Sequence, residues 1–413
     1  MDIPGLPARK AALRLLDAVL RRGETLEAAG PSALQGIRSD ADRALARALA
    51  GEALRWLTDL DGLIDSATKQ RLPDDAKARG ALRLMLAGWL RLETPGHAVI
   101  ATALPLLAGG PRRLAHGVFS TLARQAASLP ATPTLPGAVA ARWGERAEAV
   151  AAALALPPPL DLTLRDPAET ARWCEQLGGI SLLPGHVRLP RGEAIERLAG
   201  FKDGAWWVQD LAASLPARLL GVEPGMRVLD LCAAPGGKTL QLAAAGATVT
   251  ALDISDTRLD RLRANLARTG LAAEVVAVDA LAWRPDAPFA AVLLDAPCSA
   301  SGVFRRHPDV LYKGDRDLRP LLALQAELID RAVDALAPGG RLVIATCSLE
   351  RAEGEDQLAA ALRRHPALAL DCVGVAELPA GFTATGGVVR VLPGTLAAAG
   401  GVDGFFIARL RRA

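Results

Sequence analysis

Two cysteines occupy positions where a nucleotide-binding sheet would place its chemistry. Cys298 lies in Asp295-Ala296-Pro297-Cys298-Ser299 and Cys347 in Thr346-Cys347-Ser348. Each follows a short apolar run, Ala290 to Leu294 and Leu342 to Ala345, of the kind that forms a buried parallel strand. Open α/β sheets bind their ligands beyond the carboxyl ends of the strands, so two thiols are expected to flank one pocket. Upstream, Cys232-Ala233-Ala234-Pro235-Gly236-Gly237-Lys238 ends another strand and opens a helix. A ligand loop with two thiols at its lip points to covalent chemistry on a group that enters from solvent.

The loop itself favours a nucleoside cofactor. Gly236 and Gly237 carry no Cβ and let the backbone approach a ligand closely, and the helix that follows offers free N–H groups to an anion. The pattern is neither G-x-G-x-x-G nor a Walker lysine motif, and a tight strand-to-helix turn without a ligand is the bland alternative. Three acids shift the balance. Asp253 closes the second strand, where a carboxylate can accept both hydroxyls of a ribose. Asp279 closes the third and can accept from an exocyclic amine, and Asp295 closes the fourth. These residues alone leave open which nucleoside cofactor is bound.

The elements that must position these groups are legible in the apolar pattern. From about Asp203, strands at Val228–Cys232, Val249–Leu252, Val275–Val278, Ala290–Leu294 and Leu342–Ala345 alternate with helical stretches such as Asp256–Thr269 and Leu318–Leu336. That rhythm predicts an α/β fold with a doubly wound, mostly parallel sheet. Val388 through Phe405-Phe406-Ile407 reads as a closing antiparallel pair. Before it, Arg9 to Gln125 is helical throughout. Leu13, Leu16, Val19 and Leu20 recur at helical spacing, as do Leu45, Leu49, Ala53 and Leu54 after the capping candidates Ser39 and Asp40. Further helices are expected at Asp75–Leu92, His97–Leu107 and Arg112–Gln125. A Pro-rich stretch at 130–136 reads as a linker. The expected division is an all-α domain over 1–130, a small mixed linking piece over 137–202 and a catalytic domain over 203–413.

The totals set limits. Of 413 residues, 51% are apolar, enough for sizeable cores, and the net charge of +3 does not by itself announce nucleic acid. Residues 1–130 hold 18 Lys and Arg against 13 Asp and Glu, leaving 30 against 32 for the remainder. A mildly basic helical part is compatible with phosphate contacts. The cysteines, Cys174, Cys232, Cys298, Cys347 and Cys372, form no C-x-x-C pair, so no metal site is indicated, and their odd number argues for a reducing compartment. The first residues lack the apolar core of a signal peptide, and no apolar run approaches a bilayer span. A cytoplasmic protein without a membrane partner is expected.

The motifs resemble those of the RNA cytosine-5 methyltransferases. The run from Asp230 to Lys238, the Asp295–Ser299 block and Thr346-Cys347-Ser348 look like that family's signatures. Within it they are most similar to the bacterial RsmB (Sun/Fmu) group, which acts on small-subunit ribosomal RNA. Gly302-Val303-Phe304-Arg305-Arg306-His307-Pro308-Asp309 and Asp403-Gly404-Phe405-Phe406 match further stretches of that group, and the N-terminal helices, His97 to Arg124 above all, resemble its NusB-like RNA-binding domain.

The resemblance implies a Rossmann-like methyltransferase domain after a NusB-like one. It implies S-adenosylmethionine as cofactor, held by Cys232 through Lys238 with Asp253, Asp279 and Asp295, and 16S ribosomal RNA as substrate, with the protein acting as a monomer. It assigns the nucleophile to Cys347, the hold on the cytosine ring to Asp295 and assistance in product release to Cys298. Arg305, Arg306 and His307 could grip flanking phosphates or form a solvated loop. Trp206 and Trp207 could stack on a base, although packing under the sheet is expected. Cys174, Cys232 and Cys372 are expected to be inert, and Lys238 to touch substrate or brace its loop. The chain departs from the family after Ser348, where Arg351-Ala352-Glu353-Gly354 keeps one acid but lacks the usual Pro and Asn, and near Gly117, where the usual Asn is missing. Other readings are methylation of tRNA or 23S RNA, methylation of an exocyclic amine, and a non-catalytic RNA-binding assembly factor.

Overall fold

The computed structural model describes residues 3–155, 157–190, 192, 194–312 and 317–413; Met1 and Asp2 of the N-terminal segment lie outside the described residues. The chain falls into two compact units. One comprises residues up to Pro157 together with a segment beginning at Phe304, and the other residues 158–303 and 317–413.

The first unit is helical: α1 (Leu6–Arg22), α2 (Leu26–Ala33), α3 (Asp40–Arg55), α4 (Leu57–Ser66), α5 (Lys77–Leu90), α6 (Gly96–Ala103), α7 (Gly109–Arg124), α8 (Gly137–Trp143) and α9 (Ala147–Leu154). Ser39 caps α3 as its position suggests, its hydroxyl accepting from Asp42 N at 3.3 Å. Leu15, Leu16, Leu49, Leu54, Trp56, Leu60 and Phe119 form the core. Arg79, fully buried, pairs with Asp61 at 3.0 Å and with Asp65, which keeps its charge compensated inside the bundle. Residues 137–154, expected in a linking piece, pack with these helices. So does the segment from Phe304. Phe304 lies against Trp143, Arg55 donates to Arg305 O at 2.8 Å, Asp309 accepts from Leu26 N at 3.2 Å and Tyr312 donates to Leu54 O at 2.7 Å.

The second unit opens with β1 (Leu160–Leu164), α10 (Thr170–Leu177), β2 (His186–Leu189) and β3 (Trp206–Val208), the strands forming a small antiparallel sheet in the order β2-β1-β3. The main domain follows: α11 (Leu211–Leu220), β4 (Arg227–Leu231), α12 (Gly237–Ala244), β5 (Thr248–Asp253), α13 (Asp256–Thr269), β6 (Glu274–Ala277), β7 (Phe289–Asp295), α14 (Arg319–Asp334), β8 (Leu336–Thr346), α15 (Glu355–Arg364), β9 (Leu368–Leu370), β10 (Ala384–Thr385), β11 (Val388–Val391) and β12 (Phe405–Arg412). Its sheet runs β10-β11-β12-β8-β7-β4-β5-β6, with β9 on β12. Neighbours from β8 to β6 are parallel, while β12 lies antiparallel on β8. Helices on both faces bury the apolar strands, as the near-continuous Val/Leu/Ala runs require.

The register levels the carboxyl ends. Leu231 pairs with Leu252 and Leu294, Asp253 with Ala277, and Asp295 with Ala345. Phe406 pairs with Thr346, so β12 starts at that same edge. The chain reverses its winding at β4, flanked by β5 and β7, the kind of switch point at which α/β sheets bind ligands. Among the described residues, no helix is long and apolar enough to cross a membrane.

Candidate active site

Since Asp295 stands beside Ala345, the loops that leave β7 and β8 begin as neighbours and carry their cysteines together. The two sulfurs lie 3.4 Å apart, both half-buried. Contact with Cys347, then burial, then the carboxylate of Glu353 push the Cys298 thiol well above its ordinary range, so Cys298 is held as a thiol.

Lys238, buried in the first turn of α12, donates to Asp295 at 2.6 Å. Burial opposes its charge, but Asp295 and Asp230 outweigh it and raise the ammonium. The nucleophile candidate, an acid and a cation thus share one corner of the switch point.

The cofactor loop turns at Gly236, whose φ of 108° belongs to glycine and where a Cβ would stand 2.4 Å from Leu262 Cδ1. Asp253 is buried and accepts from Ala234 N at 3.1 Å and Ser255 N at 2.9 Å, which fixes the loop and the following turn with one side chain. Asp279 is exposed and accepts from Leu281 N at 2.9 Å. Asp230 is fully buried. Thr239 donates to one of its oxygens at 2.6 Å while the other has no hydrogen-bond partner among the described residues, and burial raises this carboxyl to about 7. Carboxylates along successive strand ends, a glycine turn without room for a Cβ and a helix N-terminus form a donor and acceptor set that fits a nucleoside carrying an amino-acid tail. Cys232 has φ 62°, and burial, then Asp253, push its thiol up to about 12, so it stays protonated within the loop.

The structure decides other expectations. Trp206 and Trp207 are buried, their indole N–H groups donating to Ala199 O and Gln209, so neither offers a face to a base. Arg305 is also buried, its carbonyl held by Arg55 within the helical unit. A phosphate grip or a solvated loop at Arg305 is thereby corrected, because Phe304 beside it lies against Trp143 and Asp309 accepts from Leu26 N. His307 remains exposed and Arg306 half-buried.

Sequence reasoning missed what joins the cysteine loops. Ser299, Ser348 and Gln325 meet at Glu353, the acid retained where the family pattern is otherwise lost, and Ser301 joins them through Ser348. Gly354 beside it has no room for a side chain: a Cβ would meet Arg390 and Phe406 at 2.4 and 2.8 Å. Arg390 donates to Ser348 O at 2.5 Å and pairs with Glu355 at 2.6 Å. Asp403-Gly404 gains its reason too. Gly302 N donates to Cys347 O and Gly404 N to Gly302 O, both at 2.9 Å, and a Cβ on Gly302 would stand 2.2 Å from Gly404 O.

Comparison with known proteins agrees with this arrangement. The family model described as 16S rRNA methyltransferase RsmB/F matches residues 217–411, and the NusB family model matches residues 6–108. The chain is 38% identical to ribosomal RNA small subunit methyltransferase B of Xanthomonas campestris, over 87% of this chain and 88% of the relative. It is 36% identical to the protein of that name from Xylella fastidiosa, over 98% of both. A solved methyltransferase homologue from Pyrococcus horikoshii superimposes with a TM-score of 0.57 at 26% identity, covering 71% of this chain and 98% of that one.

Proposed function

Because the chain belongs to the RsmB/F family of 16S rRNA methyltransferases, we propose that it methylates carbon 5 of a cytosine in small-subunit ribosomal RNA through a transient bond from Cys347 to carbon 6. The observation that carries this reading is the pair of sulfurs in contact at 3.4 Å, one from the loop after β7 and one from the loop after β8, next to the Lys238–Asp295 pair. A methylase of exocyclic amines has no use for two thiols there, and an assembly factor without catalysis has no use for a buried lysine aimed at Asp295.

S-adenosylmethionine, when bound, supplies an electrophilic methyl group. The chain's residues suit it: Asp253 for the ribose hydroxyls, Asp279 for the base amine, and the loop from Cys232 to Lys238 for the tail. The remaining work falls to the protein. Carbon 5 of cytosine is a weak nucleophile. The Cys347 thiolate adds its electron pair to carbon 6, breaking the ring's carbon 5–carbon 6 double bond and placing electron density on carbon 5. Asp295, oriented by Lys238, holds ring nitrogen 3 as charge develops. Carbon 5 then carries both a methyl group and its original proton. A base must take that proton so that the double bond re-forms and Cys347 leaves with its electron pair. Cys298, in contact with Cys347 and held as a thiol, does not take that proton itself; it is placed to assist the release by donating a hydrogen bond to the departing Cys347 sulfur. The target base must leave its stack to reach the sulfurs, and the helical unit is read as the part that holds the surrounding RNA. A ribosomal substrate puts the site of action in the cytoplasm, with the protein acting as a monomer.

Transfer of tritiated methyl groups to small-subunit RNA, followed by bisulfite sequencing, tests this. The expected result is one protected cytosine that appears only with enzyme. Label on 23S RNA or tRNA alone would move the substrate, label on an amine would remove the covalent step, and absence of label would favour an assembly role.

A further inference from the structure

Behind the two cysteines lies a buried carboxylate to which the proposed chemistry gives no role. Glu353 is 1% exposed. Its Oε1 accepts from Ser299 N at 2.8 Å and Gln325 Nε2 at 3.0 Å, and its Oε2 accepts from the hydroxyls of Ser299 and Ser348, both at 2.5 Å. Its backbone carbonyl accepts from Thr346 Oγ1 at 3.2 Å, and Gln325 Nε2 also reaches Pro297 O at 2.9 Å. The residues gripped are therefore Ser299 and, through Gln325, Pro297 on either side of Cys298, and Thr346 and Ser348 on either side of Cys347.

Burying an acid is costly unless hydrogen bonds satisfy it. A loop that needed only packing would be served by an apolar side chain. An ionised carboxylate, however, accepts at about four sites and donates at none. It can therefore gather four donors from two loops and a helix at one point, which an amide, half donor and half acceptor, cannot. Ser301 extends the cluster, its hydroxyl 3.2 Å from that of Ser348 and accepting from Leu349 N at 2.9 Å.

We infer that Glu353 is a positioning residue that locks the Cys298 loop to the Cys347 loop, so that both sulfurs stand in contact where a base is attacked and released. This rests on the reading of the two thiols given above. The clamp itself can be measured without RNA or cofactor.

Diamide takes two electrons and two protons from a pair of thiols and leaves a disulfide. Peptide mapping of the full-length native protein should reveal a Cys298–Cys347 link. The link should form about 10-fold more slowly in Glu353→Ala, where the loops part, and at an intermediate rate in Glu353→Gln, which keeps two acceptor sites. In methyl transfer, Glu353→Ala should lower kcat by about 100-fold, the scale of a 1 Å misplacement, with the KM for RNA unchanged and activity partly restored by Gln. Equal rates of disulfide formation in the native and Ala proteins, or an effect on KM alone, would overturn the inference. Should the Ala protein fail to fold, Gln decides, and pairing at the native rate counts against the clamp. If pairing depends on Glu353 but Cys347→Ala still transfers methyl groups, the clamp stands and the catalytic reading of the thiols falls.

Discussion

Two thiols make the proposed chemistry testable one at a time, and a buried acid makes the site's electrostatics testable. Cys347→Ala should reduce methyl transfer by about 10^6-fold, the scale of a deleted nucleophile, and leave cofactor affinity by calorimetry unchanged, because the sulfur acts on RNA. Retained turnover would end the covalent account. Cys298→Ala should let the first bond form but slow its elimination. A protein–RNA adduct that survives denaturing electrophoresis is expected, and a lane without a shifted band would remove Cys298 from release. Asp230 gives a pH prediction. Its carboxyl titrates near 7 in the folded chain against 3.8 as the ordinary value. The native state therefore holds more protons than the unfolded one between about pH 4 and 7, and stability falls as pH rises through that window, by up to about 4 kcal/mol. Asp230→Asn removes that slope, so its melting temperature relative to native should be higher at pH 8 than at pH 5. A constant difference would refute the assignment. The cysteines and strand-end acids were legible in the sequence because reactive residue types directly followed apolar runs. Glu353 was visible only as a leftover of a motif, since its partners Ser299 and Gln325 lie 54 and 28 residues away.

At the level of elements, the register of β7 on β8 performs the assembly: a slip of one residue would turn every side chain to the other face and part the sulfurs. The small antiparallel sheet is fixed by a buried ion pair. Arg188 of β2 donates to both oxygens of Asp161 in β1 at 2.7 and 2.8 Å, and Asp161 also accepts from Leu211 N at the start of α11. Burial opposes this charge, yet Arg188 and then His186 hold the carboxyl down to about 2. Arg188→Met should therefore cost about 3–5 kcal/mol in chemical denaturation, because it strands a buried carboxylate; a loss under about 1 kcal/mol would show the pair to be dispensable. Periodicity anticipated α13 to the residue and four of the five parallel strands to within one, since their apolar runs are bounded; β8 begins six residues before the expected Leu342, through Leu336 to Arg341. It could not anticipate β1, β2 and β3, which are short and far apart in sequence, or the pairing of α8 and α9 with the first unit.

The molecule as a whole is discontinuous in sequence. Phe304 to Tyr312 belong to the helical unit, while Val303 before them and Asp317 after them belong to the other. Phe304→Ala should destabilise the helical unit by about 3–5 kcal/mol, read as faster hydrogen exchange in α8 and α9. Unchanged exchange there would mean that the segment is not part of that core. Protein domains commonly finish folding from the amino terminus as the nascent chain emerges. Here the core among α1 to α7 can pack as soon as those helices have left the ribosome, but another piece of the first unit is translated some 150 residues after residue 157. Until then Trp143 lacks its aromatic neighbour and Arg55 one of its carbonyl acceptors, so these contacts are made only after the middle of the methyltransferase has been synthesised.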